Sequence, residues 1–435
     1  MADNNYGFDT LKVRAGYDSK EHNYAVAVPI YQTASFDLGS PERAEKLLAL
    51  DELGYLYTRV GNPTVNVLEQ RIALLDGGTG AIALASGMAA VSYTLLNLAE
   101  GGGRILTTPR LYGGTFDSLK KIFPKFGVEI DFVENSDDPE SFRKSIKPET
   151  KGILIESISN PNATLLDIEA IAKIAHDNNI PLVVDNTFAT PFLINLFNYG
   201  VDIIIYSATK AIGGHGTTLG GLIVENGKFD WANGKFTHFQ EPQHTLKELK
   251  TGRERSILEV FPDIPFTTRI RFNYLAYLGA SLSPFDAFLI LQGVETLTER
   301  IEKQISNTQK IVKHLESHDK VIWVSHPFAQ ESKYKDLAAK YFPKGAGSIF
   351  SFGFKGSNEE LYHFINSLNI FSYHANVGDT RSLIINPPKI THGELTPDEL
   401  AVAQILPETL RLSIGLEDVV DLINDLDQAF VKVFQ

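Results

Sequence analysis

The sequence predicts an α/β protein, with a large domain on a mostly parallel sheet and a smaller α+β domain after it. Three observations favour this architecture. Between about residues 66 and 225, short apolar runs alternate with helical patterns, as in sheets that helices cover on both faces. These runs, such as Asp202–Tyr206, have the length of buried strands. Beyond residue 276, long amphipathic helical patterns dominate.

The composition excludes several classes of protein. The 435 residues can form about two or three domains with a sizeable core. Lys plus Arg total 40 against 53 Asp plus Glu, a net charge of −13, which disfavours nucleic acid as a partner because phosphate binding needs clustered cations. The chain has no cysteine, so disulfides, thiolate metal sites and a cysteine nucleophile are excluded.

The sequence also shows no recognisable targeting signal and no metal-binding motif. The N-terminal residues show no basic start and no apolar stretch, so we expect no signal peptide, no membrane partner and a cytoplasmic location. His314 and His318 are four residues apart but lack the Glu of an H-E-x-x-H motif. A solvated helix face explains these two histidines better than a metal site does, and we expect no bound metal.

Residues 1–65 are predicted to form an ordered arm. They lack clear periodicity, but Val26–Phe36 is apolar and aromatic, which a disordered tail would avoid. Residues 66–275 are predicted to form the large domain, with helices at Gly87–Leu98 and around Ile168–Ala175. Its strands are predicted at Ala81–Ala85, Arg104–Thr107, Val128–Val133, Gly152–Glu156, Pro181–Asp185 and Asp202–Tyr206.

Residues 226–268 are rich in Gly and Pro and are predicted to form a long ordered excursion from the large domain. Residues 276–435 are predicted to form the small domain. Ser283-Pro284 predicts a helix start, and one helical pattern continues from there to about His318. Ile349–Phe354 is predicted to be a strand, and Val419–Phe430 a closing helix.

The residues that indicate a chemical function directly follow the last predicted strand. No G-x-G-x-x-G and no P-loop is present, but Asp202–Tyr206 leads into Ser207-Ala208-Thr209-Lys210 and then into glycines. A lysine alone would be read as an exposed loop residue. Small hydroxyls and free backbone N–H groups beside it suit a phosphate, so the combination indicates pyridoxal phosphate (PLP) held by a Schiff-base lysine.

A PLP site needs further parts, and candidates follow other strands. Asp185 can pair with the pyridine nitrogen, Ser86-Gly87-Met88 can hold the phosphate at a helix N-terminus, and Tyr112 can cover the ring. Each has a plainer alternative: a strand-end turn for Asp185, a helix cap for Ser86, and simple packing for Tyr112.

Together these parts resemble the Cys/Met-metabolism family of PLP enzymes, which have the aspartate-aminotransferase-like fold, called fold type I. The resemblance runs from Pro29–Phe36 to Arg411–Glu417, and Ser207–His215 is its signature. It implies that Lys210 carries the cofactor, Asp185 pairs with the ring nitrogen and Tyr112 stacks on the ring and assists catalysis. The residues that it places around the phosphate are Ser86, Gly87, Met88, Ser207 and Thr209.

The same resemblance implies partners and substrate contacts. Tyr57 and Arg59 match residues of the arm that reach the phosphate in a neighbouring subunit, and the family is usually a tetramer made of two such dimers. Asn160, Ser382 and Arg411 match positions around the substrate carboxylate, where a guanidinium can bind both oxygens.

Within the family, the O-acetylhomoserine sulfhydrylase branch is most similar, on Gly213–Thr218, Phe229–Phe236, Leu282–Leu289 and Gln292–Leu297. The resemblance implies γ-replacement on O-acetyl-L-homoserine with sulfide or a thiol, giving L-homocysteine or methionine and acetate. Lys210 would act as the base at Cα. We also interpret Gly113-Gly114 as room for the second nucleophile.

The sequence leaves alternatives open. Ala211 and Asn386–His392 depart from what this branch leads us to expect. Methionine γ-lyase or cystathionine γ-lyase chemistry, cystathionine γ-synthase chemistry and a silent PLP-binding protein therefore remain as other readings of the same site.

Overall fold

The computed structural model describes residues 6–434, and a seven-stranded sheet forms the centre of its large domain. The strand order is β1-β7-β6-β5-β4-β2-β3, and β7 alone among these runs antiparallel to its neighbours. The strands are β1 (Gly80–Leu84), β2 (Gly103–Thr107), β3 (Val128–Phe132), β4 (Thr150–Glu156), β5 (Leu182–Asp185), β6 (Ile203–Ser207) and β7 (Gly221–Glu225).

All six predicted strands of this sheet are confirmed, with ends that differ by one or two residues. The prediction missed β7 (Gly221–Glu225), which lies between the Gly-rich stretch after Lys210 and the excursion at 226–268. Leu222–Val224 within this strand is an apolar run that pairs with both β1 and β6.

A second sheet of five strands forms the small domain, in the order β10-β11-β12-β9-β8. Its strands are β8 (Val321–Ser325), β9 (Ile349–Phe354), β10 (Ser372–Tyr373), β11 (Leu383–Ile385) and β12 (Thr409–Ser413). The predicted strand at Ile349–Phe354 is confirmed as β9. Phe350, Phe352 and Phe354 pack with Phe430 of the closing helix in one core.

The α-helices cover both sheets. They are α1 (Phe8–Arg14), α2 (Pro41–Leu48), α3 (Pro63–Asp76), α4 (Gly87–Leu98), α5 (Gly113–Lys121), α6 (Pro139–Ser145), α7 (Ile168–Asp177), α8 (Thr190–Leu193), α9 (Ile257–Val260), α10 (Pro265–Arg269), α11 (Ala276–Leu278), α12 (Pro284–Glu295), α13 (Leu297–Glu316), α14 (Lys335–Tyr341), α15 (Asn358–Ser367), α16 (Pro397–Val402) and α17 (Val419–Phe434). Among residues 6–434, none of them is long and apolar enough to cross a membrane.

The helix predicted from Pro284 to about His318 is two helices, so its continuity was a wrong prediction. Thr296 leaves helical geometry, with φ −117° and ψ 22°. The carbonyl oxygen of Gly293 accepts a hydrogen bond of 2.5 Å from the Arg300 side chain. Arg300 thus binds the last turn of α12 from the next helix, and helical geometry resumes at Leu297 as α13.

The excursion at 226–268 packs on the large domain. Trp231 and Phe239 are buried and stack with Phe266 of α10 on the α4 side of the sheet, and the buried Phe236 packs edge-on against Trp231. Among residues 6–434, no residue of this excursion lines the cavity at the carboxyl ends of the central strands. Its aromatic cluster accounts for the order of this segment.

Candidate active site

A cavity lies where the carboxyl ends of the central strands meet the small domain. Most of the predicted site residues line it, together with others that sequence reasoning did not name. From the predicted set these are Ser86, Gly87, Met88, Tyr112, Asn160, Asp185, Ser207, Thr209, Lys210 and Arg411. The position agrees with the rule that open α/β sheets bind ligands at the carboxyl ends of their strands.

Lys210 lies in the turn that follows β6. Its Nζ donates a hydrogen bond of 2.6 Å to Oδ1 of Asn376, which comes from the small domain. Burial and the nearby positive charge of Arg411 lower the pKa of Lys210 to about 8. An appreciable fraction of this amine is therefore neutral near pH 7, as a nucleophile or base requires.

Asp185 ends β5 and faces the cavity. Its Oδ1 accepts hydrogen bonds from the backbone N–H (2.9 Å) and the hydroxyl (2.5 Å) of Thr187. Burial raises the pKa of Asp185. Within residues 6–434, no Lys, Arg or His forms a salt bridge with this carboxylate. A protonated pyridine nitrogen would supply the missing cation, so this residue fits PLP.

The N-terminus of α4 forms a narrow recess, the α4 cradle, that suits an anion. Ser86 caps the helix through a 3.2 Å hydrogen bond from the Ala89 N–H, and the first N–H groups of a helix have no acceptor in a preceding turn. A Cβ on Gly87 would lie 2.7 Å from the Ser207 Cβ, so only glycine lets the helix start so close to β6. Thr209 lies beside Ser207 on the cavity wall, and the cradle fits a phosphate.

Tyr112 immediately precedes α5, is 42% exposed and lines the cavity. The interpretation of Gly113-Gly114 as free room is wrong. A Cβ on Gly113 would collide with the carbonyl oxygen of Thr391, and one on Gly114 would lie 2.6 Å from Cε1 of Tyr112. The space is already filled by the segment around Thr391 and by the Tyr112 ring, so the glycines permit close packing.

Arg411 of β12 supplies a buried positive charge. Its guanidinium donates to Oδ1 of Asn160 at 2.9 Å and to the carbonyl oxygen of Asn376 at 3.2 Å. Burial lowers the pKa of Arg411 to about 10. Both acceptors are neutral, so a substrate carboxylate could take the remaining donors and compensate the charge.

The structure does not bring Ser382 into the cavity. Its hydroxyl donates to Oε2 of Glu417 at 2.8 Å, and its N–H donates to Oε1 of the same residue at 2.7 Å. Asn376, six residues earlier, lines the cavity where Ser382 was expected. The long connection between β10 and β11 decides which residue faces inward, and no local pattern reveals it.

Tyr57 and Arg59 lie outside the cavity of their own chain. Both are exposed, and the Arg59 guanidinium lies 5.3 Å from the centre of the Tyr57 ring. A role in the site of their own subunit is therefore not supported by their position, which leaves them available to another chain.

Sequence reasoning missed five polar residues of the cavity, which are Glu156, Asn376, Thr115, Thr187 and Thr391. Glu156 carried a usable signal, because it ends a predicted buried strand as Asp185 does. Asn376 carried none, since it comes from a loop more than 150 residues away from Lys210 in the sequence.

Comparisons with known proteins agree with this site. The family model described as Cys/Met metabolism PLP-dependent enzyme matches residues 9–431. The O-acetyl-L-homoserine sulfhydrylase of Leptospira meyeri is 41% identical over 432 residues, covering 99% of this chain and 98% of that protein. The homocysteine/cysteine synthase of Saccharomyces cerevisiae is 40% identical, covering 98% of each.

Among solved structures, one assigned to an O-acetylhomoserine (thiol)-lyase from Campylobacter jejuni has a TM-score of 0.92 to this chain. The two are 38% identical, and the match covers 98% of this chain and 100% of the other. That crystal structure contains N'-pyridoxyl-lysine-5'-monophosphate, which is a lysine joined to PLP.

Proposed function

Because the chain belongs to the Cys/Met metabolism family of PLP-dependent enzymes, we propose that it joins O-acetyl-L-homoserine and sulfide to form L-homocysteine and acetate. The observation that carries this proposal is the cavity that holds Lys210, Asp185 and Arg411 together. Curated relatives at about 40% identity that span nearly the whole chain are O-acetylhomoserine sulfhydrylases and homocysteine synthases, and they favour this reaction over elimination.

The cofactor supplies an aldehyde for amines and a ring that stores an electron pair when Cα loses its proton. The residues of the chain do the rest. Lys210 takes the proton from Cα, since its lowered pKa keeps part of the amine neutral. Asn376 holds the Nζ atom at 2.6 Å, which orients the amine before and after the proton transfer.

Asp185 keeps positive charge on the pyridine nitrogen. Thr187 donates two hydrogen bonds to one carboxylate oxygen, which leaves the other oxygen for the ring N–H. Tyr112 covers the cavity and is placed to assist as an acid or base. Its ring also excludes water from one side of the site.

Arg411 and Asn160 orient the substrate. We assign the substrate carboxylate to the Arg411 guanidinium, whose present acceptors are both neutral. This contact places the Cγ acetoxy group away from Arg411, where it leaves once protons have been lost from Cα and Cβ. Sulfide then adds at Cγ as HS⁻, and protons return to Cβ and to Cα, so that L-homocysteine is released beside the acetate that has left.

We propose further that two subunits build each site. Tyr57 and Arg59, exposed and outside their own cavity, would contact the phosphate bound by the neighbouring chain, and two such dimers would form a tetramer. A cytoplasmic location is part of the same proposal.

Product analysis tests the reaction. The purified enzyme is incubated with O-acetyl-, O-succinyl- or O-phosphohomoserine, each alone, with sulfide or with cysteine, and separately with methionine or homocysteine alone. Homocysteine, cystathionine and oxobutyrate are measured. We expect homocysteine only with sulfide, and fastest from the acetyl ester. Comparable oxobutyrate from methionine or homocysteine would instead make the protein a lyase, and faster turnover with cysteine than with sulfide would make it a cystathionine synthase.

A further inference from the structure

Glu156 is a buried titratable group of the cavity to which the proposed reaction assigns no part. It ends β4, is 8% exposed and pairs in register with Asp185 at the end of β5. Side chains in register on neighbouring parallel strands point to the same face, about 5 Å apart. The two carboxyl groups are therefore neighbours under the cavity.

The two oxygens of Glu156 hold two separate loops of the site. Oε1 accepts a hydrogen bond of 2.6 Å from the backbone N–H of Tyr112, and Oε2 accepts one of 3.0 Å from the backbone N–H of Asn160. Tyr112 brings its ring to the cavity. Asn160 receives a hydrogen bond from Arg411, so one side chain fixes the cofactor-facing loop and the loop that supports the substrate-facing arginine.

We propose that Glu156 is a positioning residue for this reaction, which anchors the Tyr112 and Asn160 backbones beside Asp185 and so sets the cofactor ring and Arg411 relative to each other. The inference rests on the proposed function for the identity of the reaction. The effect of Glu156 on the orientation of the bound cofactor does not depend on which substrate the enzyme uses.

The electrostatics of the site are compatible with this role. Burial and the charge of Asp185 raise the pKa of Glu156 well above its ordinary value. Two carboxylates cannot both be ionised cheaply in a buried site. A neutral Glu156 keeps its anchoring bonds and leaves Asp185 as the anionic partner of the ring nitrogen.

The test is Glu156→Gln, which has nearly the same shape. The amide nitrogen cannot accept a hydrogen bond, so either Tyr112 or Asn160 loses its acceptor. We expect kcat/KM for O-acetyl-L-homoserine to fall roughly tenfold or more. We also expect a changed visible circular dichroism band of bound PLP, because that band reports the orientation of the ring, with an unchanged far-ultraviolet spectrum.

Glu225→Gln is the matched control. Glu225 is buried in the same sheet and also accepts two backbone N–H groups, those of Phe266 and Thr267, but it does not line the cavity. This variant should lose stability while keeping both kcat/KM and the visible band.

Wild-type kcat/KM and an unchanged visible band in Glu156→Gln would overturn the proposal and leave the residue a purely structural role. If that variant does not fold, Glu156→Asp, which draws the carboxyl group back by one methylene, is judged by the same two readouts. If the wild type does not turn over O-acetyl-L-homoserine, the proposed function fails, while a visible band altered in Glu156→Gln and not in Glu225→Gln still supports the positioning role.

Discussion

Lys210 becomes reactive through residues that lie far from it in the sequence. Its strand and turn are predictable from Ser207-Ala208-Thr209 and the glycines that follow. Its lowered pKa depends on burial and on Arg411, and its orientation depends on Asn376. Arg411 and Asn376 both belong to the small domain. The local sequence pattern therefore locates the amine of Lys210, but it does not show what lowers the pKa of that amine or what orients it.

Replacing Lys210 tests its catalytic role. Lys210→Ala should abolish turnover, because Lys210 is the one lysine among the described residues that line the cavity, yet it should still bind PLP through the α4 cradle. The measurements are steady-state kinetics and the visible absorbance of bound PLP, with the exposed Lys228→Ala as control. Borohydride reduction and peptide mapping of the wild type should find the cofactor on Lys210, and an adduct on another lysine would refute the assignment.

Asp76 gives a prediction about stability and pH. It is fully buried under the sheet, where Tyr206 donates a hydrogen bond of 2.6 Å to its Oδ1. Burial raises the pKa of Asp76 from 3.8 to about 8. The stability that it contributes is therefore complete below pH 3.8 and is lost as the pH rises toward 8.

Relative to Asp76→Asn, the wild type should lose roughly 1–3 kcal/mol of unfolding free energy between pH 5 and pH 7. Urea unfolding at several pH values measures this difference. Asp230→Asn, at an exposed position, provides the control. A difference between wild type and Asp76→Asn that stays constant with pH would show that the Asp76 carboxyl does not titrate in this range.

At the scale of elements, hydrophobic runs predicted the strands of the central sheet well. They failed where a tertiary contact overrides a local pattern. The helical pattern from Pro284 to about His318 is continuous, but Arg300 binds the end of α12 and divides it at Thr296. The division of the chain at residues 65 and 275 stays a prediction.

Arg300 also links α13 to the turn that carries Lys210. Its guanidinium donates to the carbonyl oxygens of Ala211 at 2.7 Å and Ile212 at 3.2 Å. Ala211, the departure noted in the sequence, is buried beneath this contact. The turn after Lys210 is therefore fixed by a buried charge rather than by the residue that follows the lysine.

Arg300→Lys should destabilise the fold, because an ammonium group cannot reach all three carbonyl oxygens. The loss of even one hydrogen bond to a charged group corresponds to about 1.5–3 kcal/mol. Thermal unfolding and PLP retention after dialysis measure the effect, with Lys303→Arg on the exposed face of the same helix as control. Equal melting temperatures for Arg300→Lys and the wild type would contradict the importance of this contact.

At the scale of the whole molecule, the proposed sharing of sites predicts complementation. Lys210→Ala should be inactive because it lacks the base. Arg59→Ala should retain PLP poorly and lose activity roughly ten- to hundredfold, since a hydrogen bond from a charged group to phosphate is worth about 1.5–3 kcal/mol. A mixed dimer has one site with both residues intact, so mixing the two variants should restore part of the activity. Mass spectrometry of the mixture confirms subunit exchange, and exchange without recovered activity would argue against shared sites.

The residues that line the cavity come from two sheets, which implies an order in which the parts of the site form during synthesis. The helix cradle, Asp185 and Lys210 all lie in the first half of the chain, whereas Asn376 and Arg411 lie in its last sixty residues. Domains tend to fold as units in the order in which they leave the ribosome. A nascent chain is therefore expected to form its own part of the cofactor site before it can bind an amino acid, and Tyr57 and Arg59 of a second chain would complete that site when the subunits meet.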